Sequence, residues 1–312
     1  MTKKKIHFAG FLANVDSSVL KVNLDHGFKI EAISEDEGVG LVSVLERLPV
    51  MAVGKKLFMD FPCFNFSERK FLFMSNSFET NLEMNENGLL TTLPEGVAKF
   101  DNKLVHRYLN TVIRLVRLFK EGNICMPLKY YYIVDQNMPK SFQRHETGRY
   151  ISREPFTLGS SEIPNLQRFI QDTKIPFEKS FLQLAFENFE LSYATQNRNL
   201  SFLSLMVSLE TLLNPGKHEI TYRISRNTAV LLGKDVKDSR KIFREVRELY
   251  AKRSAIVHSG KSDIVNNEDL SKLRYYVRES IKRIYRTGKD KNEILNLLNS
   301  YGFGAKIMPH DK

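Results

Sequence analysis

The chain has 312 residues, enough for two domains with a sizeable core. Hydrophobic residues make up 42% and charged residues 27%, a balance that excludes an intrinsically disordered chain; no run approaches the ~20 apolar residues of a membrane-spanning helix. The formal net charge of +11 points to an acidic partner, with nucleic acid the first candidate.

Cys63 and Cys125 are the two cysteines, too few for a disulfide framework or a zinc site, and a reducing cytoplasm fits them. The opening MTKKKIHFAGFLA has the basic-then-apolar shape of a secretion signal. Its apolar run breaks at Asn14 and Asp16, and it carries no convincing small-residue cleavage site, so it is read as part of the fold.

Residues 5–33 read as strands, IHFAGFLANV, VLKVNL and GFKIEAI, separated by the turn-like DSS and DHG. SEDEG at 34–38 reads as an acidic break, and VGLVSVLERLPV as a short helix ended by Pro49. The phenylalanine-dense stretch at 57–74 suggests strands in one hairpin, with its rings in the core. Residues 101–121 form an amphipathic helix, with Leu104, Tyr108, Val112, Leu115, Val116 and Phe119 on one face and Gly122 closing it. LKYYYIVD at 128–135 is a strand. His106 and His145 have no partner pattern near them in the sequence and are read as surface or structural histidines. Between Pro139 and Pro176, proline-punctuated polar sequence holds an edge strand, ISREPFTL, and a short helix, NLQRFIQD. The domain boundary belongs here, giving a mixed, β-rich unit at 1–176 and a helical unit at 177–312. The fold class is therefore α+β.

The second unit reads as helices at 178–194, 198–213, 219–232, 238–258, 267–287 and 290–300. Asn214, Pro215 and Gly216 end the second, and Gly233 ends the third. Short connections favour an antiparallel bundle. The charge is concentrated here: residues 198–290 hold 20 lysines and arginines against 11 acids.

Within the bundle, DSRKIFREVRELYAKRSAIVHSG at 238–260 carries the most informative pattern. Ile242, Val246, Leu249, Tyr250, Ile256 and Val257 mark its apolar side, while Arg240, Arg244, Arg247 and Lys252 lie on other faces. Gly260 marks the helix end, so His258 falls in or just past the last turn. The unpaired carbonyls there favour a protonated imidazole, which suits a histidine that works as acid or base. Arg253 and His258 are five positions apart, so on an unbroken helix they diverge by roughly 140° at ~100° per residue. Either the helix unwinds between them, or the two side chains meet partners from a second copy of the chain.

Three segments, SLETLL at 208–213, YRISRNTAVLLG at 222–233 and LYAKRSAIVHSG at 249–260, resemble the HEPN superfamily, and within it the ApeA-like branch. The resemblance covers roughly the last 130 residues, the size of one small domain. It implies a helical bundle that forms a homodimer in which two Arg-x4-His pairs build one cleft. It also implies a metal-independent endoribonuclease, of the kind found in toxins and anti-phage defence, with RNA as substrate and no cofactor. On this resemblance Arg253 and His258 are catalytic, and Glu210 approaches the pair, either to orient Arg253 or to cap a buried cation. Arg223, Arg226, Asn227 and Lys252 are candidates for RNA binding. The β-rich unit takes a sensing or restraining role. Ser254 stands where many active members carry Asn, Asp or His, and its hydroxyl can still donate and accept.

Metal-free RNA cleavage requires a base for the ribose 2′-hydroxyl, an acid for the departing 5′-oxygen and positive charge for the transition state. An imidazole supplies either of the first two, and a guanidinium the third through paired N–H donors. The alternative is a noncatalytic, dimeric RNA-binding scaffold. A metal nuclease or a nucleotidyltransferase ranks below both, because the sequence shows no paired-carboxylate strand motif or glycine-rich phosphate loop.

Overall fold

The computed structural model describes residues 2–82, 95–135, 138–146, 155–214, 216, 218–259 and 264–305. The chain divides into two compact units, Met1–Thr173 and Lys174–Lys312. The fold is α+β: an antiparallel sheet with its own helices comes first, and helices follow. No described helix is long and apolar enough to cross a membrane.

The sheet of the first unit has six strands: β1 (Thr2–Ala13), β2 (Lys29–Ser34), β3 (Phe64–Asn65), β4 (Lys70–Leu82), β5 (Cys125–Asp135) and β6 (Met138–Glu146). Their order is β2-β4-β1-β5-β6, with β3 paired to β4, and every pair is antiparallel. Alternation along the strands feeds two cores. Ile6, Phe8, Leu72, Met74 and Tyr131 pack with Val105, Leu109, Val112 and Val116 in one. Ala9, Phe11, Phe71, Phe73 and Tyr130 pack with Val42, Leu45, Val53 and Leu57 in the other. Burial on both faces explains why β1 and β5 read as nearly continuous apolar runs.

Several local expectations are corrected here. VLKVNL forms no strand; a 3₁₀ turn over Ser17–Lys21 replaces it, started by Asp16, whose carboxylate accepts the Ser18 N–H. SEDEG is not a break. Ser34 and Glu37 make a capping box that opens helix α1 (Glu35–Glu46), and the three acids of its first turn favour the helix N-terminus. Helix α2 (Val50–Gly54) runs into a π-helical turn, Lys55–Asp60, so LFMD is helical, and the hairpin begins only at Phe64. Phe66 remains exposed, while Phe64, Phe71 and Phe73 are buried. The helix expected at 101–121 begins earlier, as α3 (Glu95–Phe100). It passes through a π-helical stretch, Asp101–Leu109, and continues as α4 (Asn110–Phe119). His106 is not isolated, since its Nε2 lies 3.1 Å from Asp101, which also accepts from the Tyr131 hydroxyl. Residues 151–154 of the expected edge strand and the His145 side chain lie outside the described residues; Phe156 makes a single bridge to Val15. Helix α5 (Ile163–Asp172) closes the unit.

The second unit is built of α6 (Ser180–Ala194), α7 (Arg198–Leu213), α8 (Ile220–Leu232), α9 (Val236–Ser259), α10 (Asn267–Thr287) and α11 (Lys291–Ser300). Helix α7 is the centre of the bundle, packing on α6, α8, α9, α10 and α11. It buries Phe202, Leu205, Leu209, Leu212 and Leu213 completely, each worth about 1.5–3 kcal/mol of removal from water. On α10, Leu270, Leu273, Val277, Ile281 and Ile284 form the buried face that the sequence predicts. Arg274 is also buried there; its guanidinium donates to the Ser192 carbonyl at 2.8 Å and lies 4.7 Å from the Tyr193 ring centroid. Gly233 turns the chain from α8 into α9. A Cβ at that position would fall 2.0 Å from Ser239 Oγ and 2.7 Å from the Ala229 carbonyl oxygen, so nothing larger fits.

Candidate functional site

Helix α9 runs without interruption from Val236 to Ser259. The helix begins at Val236, two residues before the expected start at Asp238, and the Asp235 carboxylate accepts the Asp238 N–H at 2.7 Å. Ile242, Val246, Leu249 and Tyr250 bury its apolar side against the bundle. The stripe ends there, because Ile256 is only half-buried and Val257 is 50% exposed. The last two turns therefore leave the core, and His258 sits exposed in the final turn. Gly260 lies outside the described residues.

Glu210 reaches this helix from α7. Its Oε1 stands 3.4 Å from Arg253 Nε, in a pair whose side chains are about one quarter exposed, 22% for Glu210 and 26% for Arg253. The approach is an ion pair without hydrogen-bond geometry, and Oε1 itself is buried with no donor among the described residues. Tyr250, one turn before Arg253, completes the cluster, with the guanidinium carbon 5.7 Å from its ring centroid. Burial, and then the Glu210 carboxylate beside it, push the Tyr250 hydroxyl up to about 12, against a smaller opposing effect from Arg253. This phenol stays protonated at neutral pH and does not serve the site as a base. Sequence alone assigned Tyr250 to packing; the usable signal was its i,i+3 spacing to Arg253.

The continuous helix removes the first of the two alternatives for Arg253 and His258, since α9 does not unwind between them. The two side chains leave the helix about 140° apart and ~7.5 Å apart along its axis. Among the described residues His258 has no hydrogen-bond or ion-pair partner. One chain thus presents an arginine anchored by a carboxylate and, on a different face, a histidine open to solvent. Ser254 is half-buried beside Arg253.

The remaining candidates lie elsewhere. Lys252 is held by both oxygens of Asp269 at 2.7 Å, and Asp269 also caps α10 through the Asn266 N–H. Arg226 donates to the carbonyls of Leu298 and Tyr301, at 3.0 and 2.7 Å, and ties α8 to the C-terminal segment. Asn227 is 2% exposed and donates to the Leu213 carbonyl at the end of α7. Arg223 is half-buried, with a loose contact of 3.9 Å to Glu219. The structure brings Glu210, Tyr250 and Arg253 together, while Lys252, Arg226 and Asn227 already have structural partners. Among the described residues, no group of three or more His, Cys, Asp or Glu side chains is arranged to hold a metal ion. Compared with known proteins, the chain matches no family model, no curated protein and no solved structure.

Proposed function

We propose that the second unit is a metal-independent endoribonuclease of HEPN type that works as a homodimer. The observation that carries this reading is the Glu210–Arg253 pair, which fixes a guanidinium on the same helix whose final turn holds an exposed histidine. Held through Nε, Arg253 keeps its two terminal nitrogens for a phosphate, the fork geometry that suits bidentate recognition.

Because Arg253 and His258 diverge on one chain, each working set combines Arg253 of one copy with His258 of the other, and a two-fold dimer makes two such sets. In cleavage, one His258 takes the proton of the ribose 2′-hydroxyl, and the 2′-oxygen attacks phosphorus. The P–O5′ bond breaks, and the departing 5′-oxygen takes up the proton that the same imidazole has just accepted. Arg253 offsets the charge that develops on the phosphoryl oxygens. The products are a 2′,3′-cyclic phosphate and a 5′-hydroxyl, because the nucleophile belongs to the substrate. The biological role consistent with this chemistry is a toxin or defence effector restrained or triggered through the β-rich unit.

The test is cleavage of total cellular RNA in excess EDTA by the parent and by His258→Ala, both checked as dimers by light scattering. Cleavage by the parent that the variant loses supports the proposal. Equal cleavage by both refutes the role of His258. Mixing Arg253→Ala with His258→Ala then tests the shared site. Complete exchange restores up to about a quarter of the parental rate, since half the dimers are mixed and each carries one intact set in place of two. No recovery after verified exchange refutes the pairing across copies.

A further inference from the structure

We propose that the exposed stripe of α9 formed by Lys237, Arg240, Arg244 and Arg247 is a track for the backbone of single-stranded RNA, leading to His258. The choice of RNA rests on the nuclease reading above, whereas the track itself rests on geometry. At ~100° and ~1.5 Å per residue, these four side chains and His258 fall within a sector roughly 100° wide that runs about 32 Å along the helix. Arg240, Arg244, Arg247, Lys237 and His258 are all exposed.

The stripe differs from the paired cations elsewhere in the unit. Lys179, Lys252, Arg253, Lys272 and Lys282 each face a carboxylate at 2.7–3.6 Å. None of the four stripe cations has an ion-pair partner among the described residues. Four unpaired cations in a row repel one another and also repel the same stripe of a second copy, so a polyanion is the fitting occupant.

Aromatic rings decide which polyanion. Tyr222 of α8 is 53% exposed and meets Phe243 of α9 edge to face, with ring centroids 5.8 Å apart. Phe243 is the wall shared by two shallow depressions. Lys237, Arg240 and Arg244 border one of about 550 Å³, and Tyr222 and Arg247 border another of about 520 Å³. Glu219 also stands in the second wall and disfavours a phosphate there, so that hollow takes a base against Tyr222 while the cations take the phosphates. Exposed rings beside a cationic track suit unpaired bases; in a duplex the bases are already stacked on each other.

The test measures binding of a fluorescent, uncleavable 2′-O-methyl oligoribonucleotide to the full chain by anisotropy across a salt series. The triple variant Arg240→Gln/Arg244→Gln/Arg247→Gln, whose exposed positions keep the fold and whose lost repulsion holds or raises the melting temperature, is compared with the parent. The expected result is at least tenfold weaker binding and a log–log salt slope shallower by about 2, at ~0.7 per single-strand phosphate contact. The single variant Arg244→Gln gives a slope change of about 0.7 on the same basis. Tyr222→Ala weakens binding about tenfold with the salt slope kept, as loss of one stacked base does. Unchanged binding and slope in the triple variant overturn the track even if the parent cleaves RNA. So does equal or tighter binding of duplex DNA or polyglutamate. Binding that depends on the stripe, in a parent that does not cleave, supports the track and counts against the nuclease reading instead.

Discussion

The Glu210–Arg253 pair makes a quantitative prediction that does not depend on catalysis. Glu210 Oε1 is buried without a donor, so the charge of Arg253 at 3.4 Å is what compensates it. Replacing Arg253 with Gln leaves a partly buried carboxylate uncompensated, which costs about 1–3 kcal/mol. Replacing Glu210 with Gln costs less, about 1 kcal/mol or below, because Arg253 is 26% exposed and its freed guanidinium can turn to water. The double variant should resemble Glu210→Gln alone, so the coupling equals the cost of Arg253→Gln, about 1–3 kcal/mol. For the unit spanning Lys174–Lys312, 1 kcal/mol corresponds to about 3 °C in Tm. Calorimetry of the four proteins, with urea titration as a second measure, reads each corner of the cycle. Additive losses, or an Arg253→Gln variant as stable as the parent, would refute the claim that the carboxylate and the guanidinium hold each other.

Three further outcomes follow from the same coordinates. Burial raises the Glu46 carboxyl, but hydrogen bonds from Tyr130 and Lys56 and the charges of Lys56 and Arg144 outweigh it, so Glu46 lies below the ordinary carboxylate range. Its stabilising contribution is present above the unfolded value of ~4.3 and is lost as pH falls through the lowered folded value; Glu46→Gln should be less stable than the parent at pH 7, and the difference should shrink across that window in acid denaturation. Gly233→Ala forces a methyl against Ser239 Oγ and the Ala229 carbonyl, so it should cost about 2–3 kcal/mol in urea unfolding, whereas Gly216→Ala, which has open space around its Cβ position, should cost under 0.5 kcal/mol. Burial pushes the Cys125 thiol up to about 11 and the Cys63 thiol well above its ordinary range, so both should resist an aromatic disulfide reagent at pH 8 in the native protein and react at once in denaturant; rapid native reaction would contradict the packing around them.

The helices of the second unit were legible because each carries a long apolar period and a recognisable stop, as with Asn214 after α7 and Gly233 after α8. The first unit was legible only as β-rich. Its central strands β1 and β5 are buried on both faces, so alternation is blurred, and its helix starts depend on single side chains such as Asp16 and Ser34 that look like turn residues. The π-helical stretch at Asp101–Leu109 has no signature at the level of apolar spacing. At the candidate site, sequence pattern located α9 and the last-turn position of His258. It could not separate cations that already have carboxylate partners, such as Lys252 with Asp269, from those without, because those partners lie on other helices.

That separation changes what α9 is for. Its inward face anchors the helix through Ile242, Val246 and Leu249, and Glu210 fixes Arg253 on a flank of that face. Its outward face carries cations that stability alone does not explain, since like charges along one stripe raise the free energy of the folded helix. Glu248 stands exposed one turn after Arg244 yet forms no ion pair with the stripe among the described residues, whereas on α10 Glu268 and Glu279 face Lys272 and Lys282 at 3.6 and 2.7 Å. The repulsion left standing between Lys237 and Arg247 is therefore better explained by an anionic ligand that relieves it. The exposed histidine on the same azimuth connects that ligand to the proposed chemistry: a strand lying along the stripe would bring its phosphates to His258, and Arg253, turned away on its own chain, would meet them only from the other copy.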